Sequence, residues 1–129
     1  VPMLRPVAVA GPFEMAARRA VPVPVVPGDV PTVGFRTGGL ASVSDVKRIE
    51  PPSRALLRDL DVLVLGAVRE RPHPAHETVD EALAIVADLR PRRASLTHRD
   101  HELRHAVLAA RLPRGVEVAV DGLELRIAR

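Results

Sequence analysis

Asp61-Val62-Leu63-Val64-Leu65-Gly66 places four apolar residues in a row without alternation. A strand with one face in water alternates apolar and polar side chains, so an unbroken run of this length suits a strand covered on both faces. The segments around it read as helices. Pro51-Pro52 opens a short helix running to about Leu60, because proline is accommodated in a helix's first turn. On the other side, Thr78 and Glu81 form a capping box, and Val79, Ala82, Leu83, Val86 and Leu89 make one apolar stripe. This predicts a helix over 78–90, ended by Pro91. Ala94 to Thr97 is a second buried strand and Glu102 to Arg111 the next helix.

Upstream the pattern changes. Residues 1–31 hold most of the proline and read as short extended pieces, Val7 to Ala10, Phe13 to Ala17 and Val21 to Val26. Pro22 and Pro24 remove ladder donors at alternate positions, which predicts an edge strand or an extended loop. Thr32 to Arg36 and Leu40 to Val43 are strands joined at Thr37-Gly38-Gly39, a hairpin signal. At the other end, Val116, Val118 and Val120 alternate, Asp121-Gly122 is a type I′ turn signal, and Leu123, Leu125 and Ile127 alternate back, predicting a terminal hairpin. Strands followed by strand-helix alternation define an α/β chain, a layered sheet with helices on its outer face.

The chain has 129 residues, 47% of them apolar, enough for a real core and for one domain or a large part of one. No apolar run approaches the roughly 18 residues needed to cross a bilayer, so a soluble protein with no membrane partner is expected. It opens on Val1 with no signal-peptide pattern, which is expected of a fragment or processed product. The absence of Cys excludes disulfides and thiolate chemistry and fits a cytoplasmic location. The net charge is +3 and the pI near 10.8. The basic residues, all Arg except Lys47, are scattered among acids, and Phe13 and Phe35 are the only aromatics. Without stacking platforms, composition argues against a nucleic-acid partner.

The residues able to carry chemistry cluster after the apolar runs. Leu96-Thr97-His98-Arg99-Asp100-His101 delivers a histidine from a strand toward a helix, and His73-Pro74-Ala75-His76 follows the 62–65 run. Either is a place for a ligand or a catalytic group at a sheet's edge, or for a hydrogen-bonded structural histidine. Asp45 closes the Leu40 to Val43 strand and reads as a turn or cap carboxylate or as a ligand, whereas Asp61 reads as a structural cap between helix and strand. His101 and His105 are spaced i, i+4 but lack a third ligand.

In order and spacing, Val33-Gly34-Phe35-Arg36, Leu40-Ala41-Ser42-Val43-Ser44-Asp45, Leu60 to Leu65, His73-Pro74-Ala75-His76, Leu96-Thr97-His98 and Val120-Asp121-Gly122 resemble the C-terminal half of metallo-β-lactamase-fold hydrolases. Their branch of phosphoribosyl 1,2-cyclic phosphate phosphodiesterases is the nearest in pattern. The resemblance implies a layered αββα sandwich of which residues 1–129 form a single partial domain. It implies metal-dependent phosphodiester hydrolysis on a small substrate, with zinc or manganese as the divalent cofactor.

Asp45 would be the carboxylate bridging two metals, His98 a terminal metal ligand, and His76 the catalytic group that orients the phosphate or protonates the leaving alkoxide. The family's His-x-His-x-Asp-His motif is not in these residues, and Pro27 and Gly66 stand where relatives carry a His and an Asp. The implied metal site is therefore incomplete and the chain weakly active or inactive alone. The alternative is a non-catalytic interaction or oligomerisation module of the same fold, pairing with a second copy or with an N-terminal half in trans.

Overall fold

The computed structural model describes residues 11–15, 18–25, 32–43, 48–66, 79–97, 112–120, 122–125 and 127. Within them lie strands β1 (Phe13–Met15), β2 (Arg18–Val25), β3 (Thr32–Thr37), β4 (Leu40–Val43), β5 (Val62–Gly66), β6 (Arg93–Thr97) and β7 (Val116–Val118). Helix α1 (Pro51–Ala55) joins β4 to β5, and α2 (Val79–Leu89) stands between β5 and β6. The strands form a seven-stranded sheet in sequential order β1 to β7. Pairing is antiparallel from β1 to β4 and parallel from β4 to β7.

The register explains the core. Val23 and Gly34 are register partners, as are Val43, Leu65, Leu96 and Val118 in turn, and a Cβ on Gly34 would stand 2.9 Å from Val43 Cγ2, so the two stretches continue one row across the sheet. Side chains directly opposite each other share a sheet face, so this row and the parallel row through Ala41 and Leu63 form one surface. Both helices cover it. Ile49, Leu57 and Leu60 around α1, and Val79, Ala82, Ile85 and Leu89 of α2, share one buried cluster with those strand residues. The α/β layering predicted from the sequence is present, among the described residues, as one sheet and one helix layer, part of the expected αββα sandwich. No helix among the described residues is long and apolar enough to cross a membrane.

Sequence and structure agree most closely where the signal is local. The 62–65 run is β5, buried along most of its length on both faces. Gly38 and Gly39 form the predicted tight turn, Gly38 at φ 56° and Thr37 paired with Leu40. Pro22 and Pro24 lie in the half of β2 that pairs only with β3, since β1 pairs with residues 18–20. The edge expectation is therefore met on that flank, where proline's missing donor costs no ladder bond.

Other expectations are corrected. Helix α1 stops at Ala55 rather than about Leu60, because i→i+3 bonds from Leu56 to Ser53 and from Leu57 to Arg54 tighten the turn. The left-handed Asp59, φ 57°, then redirects the chain so that Leu57 and Leu60 both reach the core. In α2 the deeply buried face includes Ile85 in place of Leu83 and Val86, which are partly buried. The terminal hairpin does not form among the described residues. A turn with Gly122 at φ 85° and a bond from Leu123 to Val120 is present, yet residues 123–125 and 127 belong to no strand. Residues 116–118 pair instead with β6 in parallel. Val7 to Ala10, Thr78 of the capping box and the 102–111 helix lie outside the described residues.

Polar links tie the two helices of this layer together. Arg54 and Arg58 both reach the Asp88 carboxylate, at 2.7 and 3.4 Å, joining α1 and its following turn to the end of α2. The Arg54 hydrogen bond outweighs the opposing effect of desolvation and, with the charge of Arg58 beside it, holds the Asp88 carboxyl below the usual aspartate value. A lowered folded-state pKa contributes stability above the unfolded-state value, and that contribution is lost as pH falls through the folded one. Asp88→Asn should therefore melt below the wild type at neutral pH, with the two melting temperatures converging below about pH 4. A Cβ on Gly34 would stand 2.9 Å from both the Ser42 carbonyl oxygen and Val43 Cγ2. Gly34→Ala should cost about 1–3 kcal/mol in urea denaturation.

Candidate active site

Three neighbouring parallel strands, β4, β5 and β6, end at the same edge of the sheet. Val43, Leu65 and Leu96 are in register, and one step further Gly66 pairs with Thr97. Adjacent strands lie about 4.8 Å apart, so the three C-terminal ends fall within about 10 Å of one another. The row that aligns them is fully buried, Val43, Leu65 and Leu96 each at 0% exposure. The edge is thus held by the core immediately behind it. Ligands of open α/β sheets bind outside the carboxyl ends of strands, where successive loops leave the sheet.

Each segment leaving this edge carries a residue singled out by the sequence. Two residues beyond Val43 is Asp45; beyond Gly66 the chain enters 67–78, with His73 and His76; the residue after Thr97 is His98. Asp45, His76 and His98 themselves lie outside the described residues, as do His73, His101, His105 and Pro27. What the structure brings together is the backbone from which Asp45, the His76 segment and His98 depart. It also places a position without a side chain, Gly66, at the middle strand's end, with half-buried Thr97 beside it. Thr97 is a hydroxyl at this edge that sequence reasoning treated only as the end of a strand; its place one residue before His98 was the available signal.

The donor set suits a divalent cation in kind and falls short in number. A carboxylate and an imidazole are ligands for hard to borderline ions, but a catalytic zinc usually takes about three protein ligands. Among the described residues no group of three or more His, Asp or Glu could hold a metal. The described carboxylates with the deepest roles lie elsewhere: Asp61 at the opposite edge and Asp88 on α2. Asp61 lies in the turn between α1 and β5. Its N–H donates to the Gly39 carbonyl at 2.8 Å, and a Cβ on Gly39 would come within 2.5 Å of its Oδ2, so the β3–β4 turn seats directly on it.

Residues 2–99 match the family described as "Beta-lactamase superfamily domain". Among solved structures, the chain is similar to a diphosphatase from the PhnP family, with 34% identity and a TM-score of 0.87, covering 93% of this chain and 48% of that one. It also resembles the metallo-beta-lactamase fold protein YhfI from Bacillus subtilis, with 15% identity, a TM-score of 0.70 and coverage of 87% and 51%. The short form of human tRNase Z gives 16% identity, a TM-score of 0.70 and coverage of 89% and 45%. At those identities the last two speak for the fold alone. A curated relative, an octanoyltransferase of Porphyromonas gingivalis, is 28% identical over 118 residues, which are 88% of this chain and 23% of that protein. The chain thus spans about half of each solved structure and under a quarter of the curated relative.

Proposed function

The chain belongs to the beta-lactamase superfamily domain family, and we propose that it forms part of a metal-dependent phosphodiester hydrolase whose site is incomplete within these residues. One observation carries the reading: the C-terminal ends of β4, β5 and β6 are in register at one edge, and the segments bearing Asp45, His76 and His98 leave from them. The similarity to a PhnP-family diphosphatase supports phosphate-ester chemistry on a small substrate over acyl transfer, because the aligned part of the octanoyltransferase is a minor share of that protein.

Asp45 and His98 would hold a divalent ion, zinc or manganese, with Asp45 able to bridge two. Such an ion supplies Lewis acidity toward the phosphoryl oxygens and acidifies water. His76 would donate a hydrogen bond to the phosphate or protonate the leaving alkoxide. A protein contribution of two ligands leaves the ion weakly held, and Pro27 contributes no lone pair where relatives have a His.

A second reading, a non-catalytic interaction module of the same fold working in the cytoplasm, rests on the sheet face away from the helices. Pro22, Phe35, Ser42 and Val64 form a register row there, and Phe13 packs edge-on against Phe35 at 5.8 Å. Phe35 is 40% exposed, and the buried hydroxyls of Thr37 and Ser95 on this face have no hydrogen-bond partner among the described residues. A second sheet, from another copy or from an N-terminal half in trans, would cover it.

In calorimetric titration of protein purified without chelators, zinc or manganese should bind weakly, and Asp45→Ala and His98→Ala should each abolish the binding. Variants that bind as the wild type does would remove the ligand assignment. Hydrolysis of a chromogenic phosphodiester by the chain alone should be near background; robust turnover would show that the site is complete. In sedimentation experiments the chain should associate as concentration rises, and Phe35→Asp should remain monomeric while keeping a cooperative melting transition.

A further inference from the structure

We draw no further inference here: the strongest candidate, the surface patch of Arg58, Arg90, Arg92 and Arg114 on the turns at the N-terminal edge of β5, β6 and β7, carries none, because Arg58 and Arg92 are already paired with Asp88 and Asp61 and nothing in the structure shows what covers it.

Discussion

The parallel register of β4, β5 and β6 is the constraint on which both the core and the candidate site depend. Val43, Leu65 and Leu96 meet in one fully buried row, and each such side chain contributes about 1.5–3 kcal/mol by leaving water. A slip of one residue would turn every side chain of a strand to the wrong face. The same slip would displace the strand's end, and with it the segment carrying Asp45, His76 or His98. Burial of apolar side chains thus fixes the geometry of an edge that is itself polar. Gly34 extends the row into β3, where a side chain would collide with Ser42 and Val43.

The two edges of the sheet are built by different means. At the C-terminal edge the strands end beside Gly66 and Thr97 and release segments rich in histidine. At the N-terminal edge the turns are bonded to one another through backbone groups, the Arg36 guanidinium and the seat of Gly39 on Asp61. That stitching satisfies carbonyls that an irregular turn would otherwise leave to water. It makes one edge a rigid strip and leaves the other free to vary with the chemistry asked of it, the usual arrangement of α/β sheets.

Among the described residues the helices lie on one face of the sheet, which is part of a layered sandwich, and family membership gives that observation its meaning. Helix α2 and the α1 region bury most of one side. The other side bears the register row of Pro22, Phe35, Ser42 and Val64, with Phe35 and Ser42 exposed.

Local signals in the sequence determined much of this protein. The unbroken 62–65 run became β5, Gly38-Gly39 became the hairpin turn, and residues 79–89 became a helix with Pro91 beyond it, because each depends on residues within a turn or two of one another. The family pattern was legible as well, since ordered short motifs survive where a single one would be uninformative. The side-chain positions of Asp45, His76 and His98 stay outside this comparison, and only their points of departure are described. Tertiary structure alone decided the rest. Residues 116–118 joined β6 in preference to a return strand, since a parallel ladder beside a buried strand offers both hydrogen bonds and burial. Ile85 displaced Leu83 and Val86 in the core because the sheet sets which face of α2 is covered. Arginines far apart in the chain met at one edge because parallel strands bring every preceding turn to the same side, a consequence of long-range pairing that no local window of sequence contains.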